Sequence, residues 1–393
     1  MTIKKIVTYQ AMLFFVFFLL GCITPFAPKG IEGEGETLVI DGDIVVQGDT
    51  KIYISLLRPL GNSSSPVRFI TEALVWVEDI DGKGYTGSLV TNERAEPYYY
   101  IDTKELTFDQ QYKLCVSLPD GKRYESDFLT PLLTPEIDTI DFLVNETKTA
   151  VDFFVTTHGE TPDKHSSLYY KWRYTEDWEI HSLYNTRIYY HLASNRFLPY
   201  ETDPSPYYYC WKKSESSSII TEKTDHLEEN IVYRKKLHTI DREDDRISYL
   251  YFIEVSQMSV SQESYLYWLN LEKNTQEIGG LFPILPNEIY GNIRCVSHPN
   301  VKVIGYISAG TITSKSLFVM EEELGIYRYP YRCEYYIPPP NLPWSAIYFM
   351  GMRAVGYNAN ALGDLHFATI FCVECTDREG SKIKPSFWPN DHI

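Results

Sequence analysis

The chain has 393 residues, with 36 Lys and Arg against 53 Asp and Glu, and a formal net charge of −17 at pH 7. So acidic a surface repels phosphate backbones, and no Lys/Arg stripe overcomes this locally, which excludes nucleic acid as a natural partner. Tyr is abundant at 32 residues, and Tyr with β-branched neighbours favours strands over helices.

In chain order, residues 1–21 read as a lipoprotein signal. Lys4 and Lys5 supply the positive start, Ala11 to Leu20 an unbroken apolar run, and Leu19-Leu20-Gly21-Cys22 the small residue and cysteine that lipoprotein processing requires. The run falls short of the roughly 20 apolar residues that span a bilayer comfortably, and no other apolar run is long enough. Cleavage before Cys22 leaves a lipidated cysteine as the mature N-terminus. At about 0.8 kcal/mol per buried acyl CH₂, several chains on Cys22 would hold a large body at a membrane surface.

Residues 22–37 are rich in Pro, Gly and Glu without hydrophobic period, and read as a flexible tether. From Leu38 short strands alternate with turn signals. Candidates are Leu38 to Ile40, Ile52 to Leu57, Ala73 to Val77, Tyr98 to Ile101 and Tyr112 to Leu118, with turns at Asp81-Gly82 and Pro119-Asp120-Gly121. The stretch 38–132 is therefore expected to form an immunoglobulin-like β-sandwich, closed by Pro131 to Pro135.

A larger β-rich domain is expected over 136–393. Leu168, Tyr170, Trp172 and Tyr174 alternate with Tyr169, Lys171, Arg173 and Thr175, which gives one buried face, while Ile247 to Val255 is apolar on both faces, as in a central strand. Further strands are expected at Ile289 to Val296, Val301 to Ser308 and Ser316 to Met320. Between them one amphipathic helix is expected near 260–276. Ser259-Val260-Ser261-Gln262 resembles a capping box, and Val260, Ser264, Tyr267 with Trp268, and Leu271 recur at helical spacing. From about residue 327 an irregular C-terminal tail is expected, because Pro338 to Pro340 and Pro343 interrupt regular structure. The fold class is thus mostly β.

Several of these pieces together resemble the Bacteroidota lipoproteins grouped as domain of unknown function 4249. They are Leu38 to Gly42, Pro119 to Ser126, Tyr170 to Tyr174 with Trp178, and Tyr208 to Lys212. The most specific is the block from Ser261 through Tyr267-Trp268, Asn274-Thr275, Gly280 to Phe282, Gly291-Asn292-Ile293 and Cys295 to Gly305-Tyr306, followed by Cys372-Val-Glu-Cys375, Gly380 and Lys384 to Trp388. The resemblance implies a lipid-anchored outer-membrane protein, commonly encoded beside a TonB-dependent receptor, with no established catalysis. In one departure from surface-exported relatives, acids begin only at Glu32, so the periplasmic or cell-surface face stays open.

After lipidation of Cys22, six cysteines remain, and six allow 15 pairings. Export to an oxidising compartment makes disulfides the expectation: Cys210 with Cys295, and Cys333 with Cys372 or Cys375. Cys115 lies in a strand and is expected to be a small buried residue. The Cys372–Cys375 pair lacks the second pair of a zinc ribbon. His158, His165, His181 and His191 show no metal-helix spacing, and Asp241 to Asp245 lacks the glycine and spacing of a calcium loop. No catalytic residue, metal or cofactor is therefore expected. The Tyr runs 98–100, 207–209 and 335–336 could serve as binding platforms, although strand neighbours point to opposite faces. The expected function is a non-catalytic accessory of an outer-membrane transporter; the alternative is a glycan-binding surface lipoprotein that uses exposed aromatic residues.

Overall fold

The computed structural model describes residues 37–57, 67–92, 95–160, 163–276, 291–326, 333–357 and 365–389. Cys22, the signal and most of the tether lie outside them. The protein is mostly β, as expected.

The first strands are β1 (Leu38–Val45), β2 (Gly48–Leu56), β3 (Leu74–Asp79), β4 (Gly84–Thr86), β5 (Ser88–Asn92), β6 (Ala95–Thr103), β7 (Tyr112–Ser117) and β8 (Arg123–Ser126). They form two antiparallel ladders, β1-β2-β6-β5 and β8-β7-β3-β4. Alternation decides which face is inside. In β1, Leu38, Ile40 and Ile44 are buried while Asp41 and Asp43 point the other way. Leu38, Ile40, Ile52 and Ile54 of one ladder share a core with Val75, Val77, Leu114 and Val116 of the other. Gly82 and Gly121 sit at the two expected turns with positive φ.

A second pair of layers follows. Its strands are β9 (Ile137–Val144), β10 (Ala150–His158), β11 (Tyr169–His181), β12 (Ile188–His191), β13 (Arg196–Pro199), β14 (Tyr209–Glu215), β15 (Ile220–Lys223), β16 (Ile231–Asp241) and β17 (Leu250–Ser259). One sheet runs β16-β10-β9, and the other is centred on β11 and β17, with β14 and β15 both on β11. Phe153 and Val155 meet Tyr170, Trp172, Ile253 and Val255 in one core. The aromatic alternation of β11 and the doubly buried β17 are found where the sequence predicts them.

Helix α1 (Gln262–Gln276) fills the predicted position. Its cap is Ser261, whose Oγ accepts from the Ser264 N–H at 3.2 Å. Ser259 instead ends β17, where its N–H donates to Thr134 Oγ1 at 2.9 Å.

After the helix the chain returns to the first layers. Strands β18 (Ile293–Cys295), β19 (Val303–Ile304) and β20 (Ala309–Gly310) pair with β8, β1 and β1 respectively, the last two in parallel. The N-terminal layers thus draw on 38–126 and on 293–310, so the boundary expected at 132–136 is not where the chain leaves them for good. Two glycines permit the approach: a Cβ on Gly305 would sit 2.2 Å from the Ile40 carbonyl oxygen, and one on Gly291 would sit 1.7 Å from that of Gly305. Asn292 seals the contact, its Nδ2 donating to Ile307 O at 2.8 Å and its Oδ1 accepting from Ile307 N at 2.9 Å. Strand β21 (Ile312–Met320) then pairs with β17 in the second sheet.

The expected irregular tail is partly regular. After α2 (Glu321–Leu324), which precedes it, the tail contains α3 (Trp344–Phe349), β22 (Met352–Tyr357), β23 (Leu365–Thr369) and α4 (Ile370–Val373). Pro343 stands at the N-cap of α3 rather than breaking it, a place where its missing N–H costs nothing. Hairpin β22–β23 and α3 pack on β12–β13 around Ile347, Ala354, Leu365 and Phe367. Two disulfides fasten this satellite, Cys333–Cys372 and Cys210–Cys375. The first is one of the two expected alternatives. The second corrects the expected Cys210–Cys295 pair, since Cys295 is a buried free thiol on β18 in the other core. Trp388 then lays the chain's end on Trp211, Leu250 and Phe252.

Candidate functional site at the seam of the two layer pairs

The outward residues of β1 and β11 meet. Lys171 Nζ binds Asp43 Oδ2 at 2.6 Å, and the Arg173 guanidinium grips both oxygens of Asp41, at 2.9 and 2.5 Å. Asp43 also accepts from the Ser308 N–H at 3.1 Å, which ties the returning segment into the same seam. Lys171 is buried although alternation places it on the outer face, because the first layers cover it. Its ammonium lies 5.0 Å from the centre of the Trp268 ring on α1. Complete burial pulls the Lys171 pKa below its ordinary value, against the pull of Asp43. At Asp41 burial acts upward, yet the Arg173 guanidinium outweighs it and holds the carboxyl below the usual range.

Beside these pairs lies a cleft of about 260 Å³. Asp41 and Arg173 form one wall, Trp268 and Leu271 of α1 another, and the Ser216–Ser217–Ser218 loop between β14 and β15 the rim. Sequence reasoning did not single out this place. The signal was present: acids at 41 and 43 on one strand and bases at 171 and 173 on another are matched pairs at strand spacing.

The densest buried titratable set lies inside the second pair of layers. Glu176 accepts from Arg246 Nη1 at 3.0 and 3.1 Å and from the Tyr251 hydroxyl at 2.6 Å, and His238 Nε2 stands 3.2 Å away. The His238 ring is stacked between Phe153 and Tyr174. Its Nδ1 is buried without a partner, while Nε2 faces the carboxylate. Burial raises the Glu176 pKa, but its bonds to His238 and Tyr251 and the Arg246 charge outweigh this and keep it low. These groups do not line the seam cleft, and they act as a brace.

The neighbouring Asp177 behaves oppositely. It is 8% exposed, and burial pushes its pKa up to about 6; Lys213 opposes the shift, and Glu254 and Glu215 add to it. Because the folded value lies above the unfolded one of about 3.9, the folded protein holds a proton that the unfolded chain releases. Stability therefore falls as pH rises from about 4 to about 6 and stays reduced above. Asp177→Asn is expected to raise unfolding free energy at pH 7.5 by about 1–2 kcal/mol, with the gain vanishing near pH 4. Urea titrations of both proteins at the two pH values measure it.

The histidines singled out from sequence are not brought together. His158 pairs with Asp138, His165 Nδ1 faces Pro131 O, His181 pairs with Glu179, and His191 meets Ser194. In the acidic turn, Arg246 binds Asp244 and Lys212 binds Asp245, so two of its carboxylates are neutralised. No group of three or more metal-ligating side chains suited to an ion occurs among the described residues. Cys115 is buried, and that burial pushes its thiol up to about 12, an inert group at neutral pH.

Of the Tyr runs, 98–100 divides as strand geometry requires. Tyr99 is core, its hydroxyl accepting from Ala73 N at 2.8 Å, while Tyr98 and Tyr100 are half-buried on the other face. Tyr207 to Tyr209 are all half-buried, and Tyr335 is exposed beside a half-buried Tyr336. Five of the exposed large apolar groups fall close together in the chain: within 335–350, Tyr335, Ile337, Trp344, Phe349 and Met350 are 58%, 56%, 39%, 73% and 58% exposed. No helix among the described residues is long and apolar enough to cross a membrane.

No curated protein matches the chain. The family model described as domain of unknown function (DUF4249) matches residues 23–316, from just after Cys22 into β21. That span contains both ladders of the first layers, the seam, α1 and the returning segment with Gly291, Asn292 and Gly305, and the chain belongs to this family.

Proposed function

We propose that the protein is a non-catalytic lipoprotein, anchored in the outer membrane through acyl chains on Cys22, that docks on a TonB-dependent transporter through its C-terminal satellite. The observation that carries this reading is the gathering of exposed Tyr335, Ile337, Trp344, Phe349 and Met350 in 16 residues of chain. Exposed apolar groups so concentrated cost solvation unless a partner covers them. They sit on a rigid base, since Cys333–Cys372 and the Phe367 core hold α3 and β23 in place. The segment also lies beyond residue 316, where the family match ends, which suits a surface fitted to one partner. Anchoring confines the body to a thin layer and raises its effective concentration for a membrane partner.

The test is recovery of the native protein from outer membranes in mild detergent, followed by mass spectrometry. Wild type is expected to bring down a transporter. Phe349→Ser with Met350→Ser, both exposed and harmless to the core, should cut recovery about tenfold or more, the loss expected of interface anchors. Recovery of no transporter with wild type, or equal recovery by the variant, contradicts the reading.

A further inference from the structure

We propose that the seam cleft binds a neutral pyranose, either a single sugar ring or the terminal ring of a neutral oligosaccharide, held between the two pairs of layers. This site is distinct from the satellite surface and does not rest on the transporter reading.

Size sets the first limit. At about 260 Å³ the cleft is just smaller than the roughly 300–1,000 Å³ of sites for drug-sized ligands, which leaves room for one ring and part of another.

Charge sets the second. Both cations beside the cleft already hold carboxylates, Lys171 with Asp43 and Arg173 with Asp41. An anionic ligand would have to displace an aspartate, and a cationic one a base, at the loss of a charge-assisted pair. The pairs nevertheless keep unused capacity. Arg173 gives Asp41 only two of its several N–H donors, and carboxylate oxygens accept more than one bond each. Arg173 and Asp41 are 43% and 37% exposed at their side chains, so a ligand reaches them. A donor and an acceptor side by side match a vicinal diol, in which one hydroxyl donates to Asp41 while its neighbour accepts from Arg173. A purely apolar ligand would strip water from these groups and return nothing.

The third limit comes from the opposite wall. Trp268 and Leu271 are apolar, and a sugar ring carries a C–H face as well as hydroxyls. The exposed Ser217 and Ser218 complete the rim with hydroxyls. An amphipathic ring of this kind satisfies all three sides at once.

The test uses the full lipoprotein in an amine-oxide detergent, because sugar-headed detergents would compete. It is applied to a glycan array with neutral hexose, N-acetylhexosamine and uronic acid ends, and hits are titrated by calorimetry. Binding to neutral ends is expected, weakened about tenfold or more by Ser218→Trp, an exposed rim change that blocks the mouth without touching the core. Sugar should also shift tryptophan emission in wild type, and less in Trp268→Phe, where Trp172 is the indole that still lines the cleft. Equal affinity in wild type and Ser218→Trp, preference for uronic acids, or no neutral sugar bound by folded protein would each overturn the proposal.

Discussion

Glu176→Ala is expected to lower the unfolding free energy by about 3–5 kcal/mol, the usual cost of removing one partner from a buried ion pair. Glu176 is 2% exposed and is the common acceptor for Arg246 and Tyr251, with His238 Nε2 alongside. Without it, a guanidinium edge, a hydroxyl and a ring nitrogen stay buried with too few partners, and each unsatisfied group costs about 1–3 kcal/mol. The destabilisation comes from what is left behind rather than from the worth of the pair. Glu176→Leu combined with Arg246→Met and Tyr251→Phe should therefore recover part of the loss, because of the buried groups left behind only His238 Nε2 then lacks its partner. Denaturant unfolding of the single and triple variants distinguishes this from a simple packing defect. A loss below about 1 kcal/mol in the single variant would mean that water reaches the site.

Gly305→Ala is expected to cost a similar amount, about 3–5 kcal/mol, through the backbone. At Gly305 φ is +149°, and the added Cβ would lie 2.2 Å from the carbonyl oxygen of Ile40. Main chain on both sides cannot swing away as a side-chain tip can. The loss should fall on the returning segment, because β18 to β20 reach β8 and β1 only by this close approach. Gly82→Ala is the control. Its φ is +87° but nothing stands within 4 Å of the new Cβ, so only local strain of roughly 1 kcal/mol remains. Thermal melts of the two variants should separate clearly; equal shifts would remove the steric account of the segment.

These two sites mark where sequence was readable and where it was not. Strand β17 was legible because its apolar residues fill both faces, and β11 because four large side chains fall at alternate positions. Helix α1 was legible from its period, but its start was read two residues early, since Ser259 is spent on the β17 edge with Thr134. Of the returning strands, β18 and β19 fall within the stretches expected at Ile289 to Val296 and Val301 to Ser308, but at two or three residues each they are too short for a period to show where they pair. Their signal was the pair Gly291-Asn292 and Gly305, whose spacing has meaning only once β1 is in place. Pairing of Cys210 was equally hidden. It depends on a tail that crosses back to β14, where the Ser381 backbone bridges Trp211. The seam was half visible: Lys171 and Arg173 read as the solvent side of β11, and the burial of Lys171 and the pairing of both with Asp43 and Asp41 follow from how the first layers pack.

The family match accounts for the body's shared features. The proposed role rests on the N-terminus, which lies outside the described residues, and on the apolar satellite. The proposed glycan site at the seam and the proposed docking surface at 335–350 share no residues, so either proposal can fail without the other.

The most direct measurement is mass spectrometry of the N-terminal peptide of protein purified from its native membranes, with detergent phase partition of the same sample. An acylated Cys22 as first residue, in the detergent phase, is the predicted result. An unmodified N-terminus in the aqueous phase would contradict the account, because the body would then have no anchor to hold it beside an outer-membrane partner.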